Sequence, residues 1–280
     1  MPIKAVFTDM DGTLLNPNHR ISGYTANILR GLKDKGIHLI VTTGRPYADV
    51  FATISKCRLE PDFIITSNGG RIHDGSLNVV RECNIRPELV AKIAQLRGVW
   101  NEKTGAVEKK FATNIYREAE WLTDKYVPQA KAAFNDEFPC NALGEKFYEL
   151  QAQDLKGVHE AWFLGHHHDL EPLYTYLKTT FSGELCCTYS LPYLIDCVPV
   201  GVTKGNSIRE VAEMLNVQLE DVACFGDGMN DESMLQIAGK AYIMENGQQG
   251  LKDAVPHAEV IDSNANDGVA RKLEELFFSN

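Results

Sequence analysis

The stretch KAVFTDMDGTLL, residues 4–15, decides the fold of this chain. Its apolar run, Lys4–Thr8, is typical of a strand buried in a parallel sheet, and it leads directly into Asp9. Successive side chains of a strand point to opposite faces, so Asp9 and Asp11 can point the same way, and Gly12 allows a sharp turn after them. Two carboxylates this close repel each other unless a proton or a cation separates them. The stretch therefore predicts a cation site, with a simple turn as the alternative.

Strand and helix signals alternate on either side of this stretch. Ser22 can cap a helix that ends at Gly36, and apolar runs follow at Ile37–Val41 and Phe63–Thr66. The same rhythm resumes near the end of the chain, with elements predicted at Gly205–Leu215, Val222–Phe225, Glu232–Ala238, Ala241–Met244 and Val269–Phe277. Such alternation predicts an α/β protein whose parallel sheet carries helices on its faces.

The middle of the chain departs from this rhythm. Residues 86–189 are richer in aromatic side chains, and they mix candidate strands such as Ala161–Leu164 with helical stretches such as Leu170–Phe181. We expect these residues to form a second, α+β domain inserted into the first, which comprises residues 1–85 and 190–280. Ligands of open α/β sheets bind beyond the carboxyl ends of the strands, so a domain inserted there is expected to cover the site.

Two further segments are suited to phosphate binding. Thr43, Gly44 and Arg45 follow a predicted strand, where a hydroxyl group and backbone N–H groups can meet a phosphate oxygen. Lys204 lies in GVTKG, residues 201–205, at the start of a predicted helix. A lysine there is unfavourable against the helix dipole, and a bound anion would explain it. The alternatives are a simple turn for the first segment and a surface lysine for the second.

One more predicted strand is followed by polar residues that could bind a cation. An apolar strand runs into GDGMND, residues 226–231, which contains Asp227, Asn230 and Asp231. A second carboxylate at a strand end would complete a cation site with Asp9. Mg²⁺ suits such a site, because it takes carboxylate and phosphate oxygens and keeps several waters. The alternative is a turn that caps the next helix.

Together these segments resemble one known family, the haloacid-dehalogenase-superfamily phosphatases of the Cof type. The matching pieces are DMDGTLL at 9–15, TGR at 43–45, SNGG at 67–70, GVTKG at 201–205 and GDGMND at 226–231. Within that family the chain is most similar to YigL-like phosphatases of pyridoxal phosphate and sugar phosphates, through residues 113–117, 120–121, 238–240 and 264–267. The resemblance implies a Rossmann-like core with an inserted α+β cap of the IIB-like type.

The resemblance also implies catalytic and metal-binding roles. Asp9 would be the nucleophile that becomes an aspartyl phosphate, and Asp11 would be the acid/base that protonates the leaving alcohol and then activates water. The Asp9 carboxylate, the Asp11 backbone carbonyl and Asp227 would hold Mg²⁺.

The remaining implied roles concern the phosphate. The phosphate would be bound by Thr43, Gly44, Lys204, Asn230 and the backbone N–H of Met10. Asp231 would support Lys204 or the waters of the metal. Independently of the resemblance, Arg45 and Asn68 lie at the ends of predicted strands and are candidates for contacts with the leaving group. The alternatives are a surface salt bridge for Arg45 and turn structure for Asn68.

The expected function is Mg²⁺-dependent hydrolysis of small phosphorylated metabolites, pyridoxal phosphate and/or sugar phosphates, through an aspartyl phosphate. Two alternatives stay open: a phosphomutase of the phosphomannomutase kind, and a non-catalytic protein that binds phosphorylated metabolites. The net charge of −10 argues against nucleic acid and anionic membranes as partners, since both need a positive surface. The oligomeric state is not predicted.

The cysteines and histidines give information on the cellular location of the protein and on metals other than Mg²⁺. The chain has seven cysteines, an odd number without a C-x-x-C pair, which is typical of reduced thiols in a cytoplasmic protein. It contains no apolar stretch of the roughly 20 residues that span a bilayer. His166, His167 and His168 could bind a transition metal, with a solvated loop as the alternative.

Overall fold

The computed structural model describes residues 2–117, 119–136 and 138–279. The chain divides into two compact units. The first contains the residues up to Arg45, then Val50–Arg81, then the residues from Thr203 onward, and the second contains Pro46–Asp49 and Glu82–Val202. The two ends of the chain thus build one unit, and the middle of the chain builds the other.

The described residues form sixteen strands. In chain order these are β1 Ala5–Thr8, β2 His38–Thr42, β3 Phe63–Thr66, β4 Arg71–Asp74, β5 Val79–Glu82, β6 Val99–Asn101, β7 Ala106–Glu108, β8 Phe111–Arg117, β9 Glu120–Thr123, β10 Cys140–Ala142, β11 Val158–Gly165, β12 Leu185–Leu191, β13 Leu194–Pro199, β14 Val222–Gly226, β15 Lys240–Met244 and β16 Glu259–Ile261.

The same part of the chain forms nine α-helices. They are α1 Gly23–Gly31, α2 Tyr47–Lys56, α3 Pro87–Ala94, α4 Pro128–Lys131, α5 His167–Thr180, α6 Lys204–Met214, α7 Glu232–Leu235, α8 Gln249–Ala254 and α9 Gly268–Phe277. Shorter helical turns lie at Lys33–Lys35, Ser67–Gly69, Gly144–Glu149, Ala152–Leu155, Leu219–Asp221, Met229–Asp231 and Asn264–Asn266. None of the helices in the described ranges has both the length and the apolar character needed to cross a membrane.

The first unit is built on one eight-stranded sheet in the order β16-β15-β14-β1-β2-β3-β4-β5. The strands from β16 to β3 run parallel to one another, and β4 pairs antiparallel with β3. All four residues of β1 are buried, as expected for a central strand of a parallel sheet with both faces covered. The predicted α/β class with a parallel sheet is confirmed.

Apolar side chains from neighbouring strands and from α6 share the core of this unit. Phe7 of β1, Ile40 of β2, Ile65 of β3 and Cys224 of β14 belong to one buried cluster with Ile208 of α6. Burying such side chains stabilises the fold by roughly 1.5–3 kcal/mol each. This packing fixes the strands whose carboxyl ends carry the polar motifs.

Several predicted elements match the structure closely. The Ser22 side chain accepts a hydrogen bond from the backbone N–H of Thr25 at 3.0 Å, so Ser22 caps α1 as predicted. Gly36 adopts a left-handed conformation, φ 70°, directly after the Lys33–Lys35 turn. The predicted strand at Phe63–Thr66 coincides with β3. Helix α6 begins at Lys204, one residue before the predicted start.

The second unit contains a six-stranded sheet in the order β10-β9-β8-β11-β13-β12, and the β6–β7 hairpin. Side chains of α3 and α5 pack with this sheet: Leu89 and Leu173 share a buried cluster with Phe111, Phe163 and Ile195. The predicted strand Ala161–Leu164 lies within β11, and the predicted helix Leu170–Phe181 overlaps α5. The unit is therefore α+β.

The boundary predicted between residues 189 and 190 is misplaced. It falls inside the hairpin of β12 and β13, where Cys187 lies directly opposite Cys197. Strand β13 also pairs with β11, so its hydrogen bonds belong to the second unit, which extends to Val202. Pro46–Asp49 belongs to this unit as well, because the carboxylate of Asp49 accepts a hydrogen bond from the backbone N–H of Asn135 at 2.6 Å.

Candidate active site

The predicted motifs meet at one edge of the parallel sheet. Asp9 follows β1, Thr43 follows β2, Ser67 follows β3 and Asp227 follows β14. These four strands are neighbours in the parallel part of the sheet, so their carboxyl ends lie on the same side. Lys204 reaches the same place from the first residue of α6.

Lys204 is the centre of the arrangement. Its Nζ atom lies 2.6 Å from Asp9 Oδ1 and 2.6 Å from Asp231 Oδ1, and the residue is only 1% exposed. Burial opposes the charge of Lys204, but the carboxylates of Asp231 and Asp9 outweigh this effect and raise its pKa above the ordinary value. The site therefore contains a fixed, buried ammonium group.

Asp231 organises the loop after β14. Its Oδ2 atom accepts hydrogen bonds from the backbone N–H groups of Asp227, at 2.9 Å, and Gly228, at 3.0 Å. Since Lys204 contacts the other oxygen, both oxygens of Asp231 are engaged. Gly226 permits this approach, because a Cβ there would lie 2.6 Å from the Cβ of Asp231.

Three carboxylates cluster beside this lysine. One oxygen from each of Asp9, Asp227 and Asp231 lies within 4.8 Å of the others. Burial raises the pKa of Asp9 well above its usual range, against the attraction of Lys204 and with repulsion from the other carboxylates. Burial and repulsion from Asp231 raise the pKa of Asp227 to about 7. One ammonium balances only part of the negative charge that three ionised acids would carry, and hard oxygen donors of this kind suit Mg²⁺.

The turn after Asp9 packs against Asp227. Thr13 donates a hydrogen bond from its hydroxyl to Asp227 Oδ1 at 2.8 Å. Gly12 has φ 71°, and a Cβ at this position would collide with the Asp227 carboxylate. The side-chain amide of Asn246 donates to the Gly12 carbonyl at 2.8 Å. The sequence reasoning missed Thr13 and Asn246, whose partners lie 214 and 234 residues away along the chain.

Asp11 is held by Arg45. The Nε and Nη2 atoms of Arg45 donate to Asp11 Oδ2 and Oδ1, both at 2.6 Å, and His19 Nδ1 lies 3.9 Å from Oδ1. Burial alone would raise the pKa of Asp11, but the charge and hydrogen bonds of Arg45 outweigh it and lower that pKa. From the sequence, Arg45 was a candidate for a contact with the leaving group. In the structure its guanidinium group binds the Asp11 carboxylate.

The predicted phosphate-binding residues are tied together through Asn68. Asn230 Nδ2 donates to Asn68 Oδ1 at 3.0 Å, and the backbone N–H of Asn68 donates to the Thr43 carbonyl at 3.0 Å. Gly44 lies against the same side chain, since a Cβ there would be 3.2 Å from Asn68 Nδ2. Met10 is fully buried in the turn after Asp9, and its carbonyl accepts from the Leu15 N–H at 2.7 Å.

A comparison with known protein families identifies the family of this chain. A model of the haloacid dehalogenase-like hydrolases matches residues 6–273, almost the whole chain. The chain belongs to this family. The family predicted from the motifs is thereby confirmed, while the narrower resemblance to phosphatases of pyridoxal phosphate stays a prediction.

Individual relatives of this hydrolase point to phosphatase chemistry. A Haemophilus influenzae protein named as a phosphatase is 34% identical over 280 residues, which cover 99% of this chain and 98% of the relative. An HMP-PP phosphatase of Yersinia pseudotuberculosis is 31% identical over 271 residues, covering 97% of this chain and 94% of the relative. The crystal structure of a haloacid dehalogenase-like hydrolase from Bacteroides thetaiotaomicron superposes with a TM-score of 0.79 at 26% identity, covering 98% of this chain and all of that one. Family and relatives together indicate that this hydrolase is a phosphatase.

The histidine run of this hydrolase forms ordinary local contacts. His167 Nδ1 lies 2.8 Å from the Pro192 carbonyl oxygen, and His168 Nε2 lies 3.2 Å from Asp169. Within the described ranges, the trio of Asp9, Asp227 and Asp231 is the one group of three side chains arranged to hold a metal ion.

The aromatic residues of the second unit are packed with one another. Tyr116, Trp121, Phe138 and Trp162 form one buried cluster, in which each is at most 3% exposed. Trp121 also donates a hydrogen bond from Nε1 to Asn114 Oδ1 at 2.9 Å. Packing within this cluster thus accounts for the positions of Tyr116, Trp121 and Trp162.

Proposed function

We propose that this phosphatase uses Mg²⁺ to hydrolyse small phosphorylated metabolites through an aspartyl phosphate on Asp9. The observation that carries the proposal is the contact of Lys204 with Asp9 and Asp231, at 2.6 Å each, beside Asp227. A phosphate ester is itself an anion, and a carboxylate can approach it only where positive charge is already in place. The buried ammonium of Lys204 supplies part of that charge.

The carboxylate cluster fits a divalent cation. On the resemblance of the motifs, we assign the ion to the Asp9 carboxylate, Asp227 and the Asp11 backbone carbonyl. Both oxygens of Asp231 are already engaged by N–H donors and Lys204, which agrees with leaving Asp231 out of this set. When bound, Mg²⁺ would neutralise negative charge on the phosphoryl oxygens. Asp231 then acts by holding Lys204 and the loop at Asp227 in place.

Two steps complete the reaction. An oxygen of Asp9 attacks phosphorus, the ester P–O bond breaks, and the leaving oxygen takes a proton from Asp11. Water then attacks the phosphorus of the aspartyl phosphate, Asp11 takes a proton from that water, and inorganic phosphate and free Asp9 are released. The ion pair with Arg45 favours the ionised Asp11 that the second step needs, so we expect Asp11 to move away from Arg45 when it donates its proton.

The phosphoryl oxygens would be bound by groups that the fold gathers at the sheet edge. These are the Thr43 hydroxyl, the backbone N–H groups of Gly44 and Met10, the Lys204 ammonium and the Asn230 amide. Donors fixed in position before the reaction need no reorganisation when charge builds up on those oxygens.

Pyridoxal phosphate is our first candidate for the substrate and sugar phosphates are the second, both on the resemblance of the motifs. The Yersinia relative adds HMP-PP. The test is a phosphate-release screen with Mg²⁺ over a panel that contains all three classes, with Asp9→Asn as the inactive control. The fastest release from pyridoxal phosphate would support the first candidate. Equal rates on unrelated esters would contradict it, and hexose-phosphate isomerisation without phosphate release would indicate a phosphomutase.

Two broader expectations belong to the same proposal. The second unit, an α+β unit with the helices α3 and α5 on its six-stranded sheet, is the counterpart of the IIB-like cap implied by the motifs. All seven cysteines carry free thiols, which supports a cytoplasmic location.

A further inference from the structure

The loop after β3 has a strained backbone. Ser67, Asn68 and Gly69 have φ values of 49°, 54° and 108°. These values lie in the left-handed region, which residues other than glycine rarely adopt. Two consecutive residues other than glycine in such conformations persist only where the surroundings fix them. The contacts of the loop should therefore show what it is built to hold.

Its first contact is with Asn230. Asn68 is 5% exposed, and its Oδ1 accepts a hydrogen bond from Asn230 Nδ2 at 3.0 Å. A side-chain amide has a donor end and an acceptor end, and a phosphate oxygen can bind only the donor end. The acceptor on Asn68 selects the orientation in which the second N–H of Asn230 is available to a phosphoryl oxygen.

Its second contact is with the segment after β2. The backbone N–H groups of Ser67 and Asn68 donate to the carbonyls of Arg45 and Thr43, both at 3.0 Å. Gly44 leaves room for the Asn68 amide, as described above. Asn68 therefore links the phosphate-binding segments that follow β2 and β14.

Its third contact is with the helix that carries Lys204. A Cβ on Gly69 would lie 3.0 Å from the Thr203 carbonyl oxygen and would collide with the Ser207 hydroxyl. Arg81 donates a hydrogen bond from Nη1 to the Gly69 carbonyl at 2.7 Å. The loop thus rests against the first turn of α6, so three candidate phosphate-binding segments converge on Ser67, Asn68 and Gly69.

From these contacts we propose that Asn68 is a positioning residue, whose Oδ1 orients the Asn230 amide to donate to the phosphoryl group. This inference rests on the proposed function, and it replaces the sequence-based expectation that Asn68 contacts the leaving group. The two roles differ in one respect. A residue that acts on the phosphoryl group affects every ester alike, whereas a contact with the leaving group depends on the ester.

The first test removes the side chain without straining the backbone. Asn68→Gly is suitable because glycine adopts φ 54° freely. Asn216→Gly is the matched control, since Asn216 has φ 55° and lies exposed beyond α6. The loss of one hydrogen bond predicts that Asn68→Gly lowers kcat/KM about tenfold. We expect the same factor with an aryl phosphate, pyridoxal phosphate and a hexose phosphate, an unchanged melting temperature, and no effect of the control. A loss that varies from ester to ester would overturn the inference.

The second test is a double-mutant cycle with Asn230→Ala. If Asn68 acts through Asn230, the glycine substitution has less than about a twofold effect once Asn230 is gone, because the two residues share one interaction. A full, additive loss in the double variant would contradict this. Asn68→Ser, whose hydroxyl oxygen stands one bond closer to the backbone than Oδ1 of asparagine, serves as a second variant with the same expected loss should the glycine variant fold poorly.

Binding of inorganic phosphate separates this inference from the proposed function, because it requires no turnover. With Mg²⁺ present, calorimetry should show that Asn68→Gly weakens phosphate binding about tenfold. An active wild-type enzyme whose glycine variant binds phosphate normally would overturn the inference alone. A wild-type protein that hydrolyses no ester would overturn the proposed function, and the binding result would still decide the role of Asn68.

Discussion

Arg45 contacts both carboxylate oxygens of Asp11, with Nε 2.6 Å from Oδ2 and Nη2 2.6 Å from Oδ1. Two parallel hydrogen bonds from a planar guanidinium group fix the plane of the carboxylate as well as its position. The backbone N–H of Arg45 in turn donates to the Thr43 hydroxyl at 3.1 Å. Arg45 thus contacts both Asp11, the candidate acid/base, and Thr43, a candidate phosphate ligand.

We expect Arg45→Gln to lower kcat by about tenfold or more while KM changes little, because the ionised Asp11 that takes the proton from water in the second step loses its fixed orientation. Arg45→Lys should lose nearly as much, since lysine keeps the charge but not the two-point contact. Steady-state kinetics with an aryl phosphate measure both variants. Asp11→Asn alone should lose at least about 100-fold, in line with acid/base contributions.

The control for this prediction is the combination of Arg45→Gln with Asp11→Asn. If Arg45 acts by orienting Asp11, the combined variant should be no slower than Asp11→Asn alone. A further loss in the double variant, or a rise in KM that depends on the ester, would instead place Arg45 on the substrate.

Asp9→Asn tests the nucleophile. The amide resembles the carboxylate in shape and cannot form the aspartyl phosphate, so we expect phosphate release to fall below detection while circular dichroism shows an unchanged fold. Asp221→Asn is the control, because Asp221 is also buried but pairs with Lys4 at 2.6 Å. Normal hydrolysis by the Asp9 variant would remove Asp9 from the mechanism.

Mg²⁺ should stabilise the folded protein. Lys204 is the cation that contacts Asp9 and Asp231 in the cluster of Asp9, Asp227 and Asp231, and one ammonium balances only part of the charge of three carboxylates, so a divalent cation would relieve repulsion among them. At a concentration about 100 times its Kd, a ligand of the folded state stabilises that state by about 2.7 kcal/mol. We expect scanning calorimetry to show a higher Tm with Mg²⁺ than with EDTA.

Asp227→Asn should abolish this Mg²⁺-dependent rise in Tm, while Asp221→Asn should preserve it. The asparagine variant also loses one of three mutually repelling acids, so its Tm in EDTA should be no lower than that of the wild type. A full response to Mg²⁺ in the Asp227 variant would exclude this carboxylate as a ligand.

The features that were predicted correctly from the sequence are those that depend on local sequence patterns. Asp9 and Asp227 each follow a short apolar strand, and parallel strands place their carboxyl ends together whatever the rest of the chain does. The contacts between Arg45 and Asp11 and between Asn68 and Asn230 join residues 34 and 162 positions apart. No periodicity encodes which side chains meet over such distances.

The misplaced domain boundary has a related cause. Strand β13, Leu194–Pro199, reads as a short apolar strand that either sheet could contain. Its place is decided by pairing with β11 and β12, and the hydrogen bonds between strands depend on register and not on the composition of one strand. The sequence therefore located the inserted unit but not the hairpin with which it ends.

Gly12 and Gly36 have nearly the same backbone conformation but different surroundings. Their φ values are 71° and 70°, so alanine strains the backbone to a similar degree at both, by about 1 kcal/mol. A Cβ on Gly36 meets no atom within 4 Å, whereas a Cβ on Gly12 collides with the Asp227 carboxylate. Gly36→Ala should therefore lower the Tm modestly and leave both kcat/KM and the response to Mg²⁺ intact. Gly12→Ala should lower the Tm further, displace Asp227 and lose most of that response, as measured by calorimetry with and without Mg²⁺. Equal behaviour of the two variants would show that Gly12 serves only the turn and that the approach of Asp227 does not depend on it.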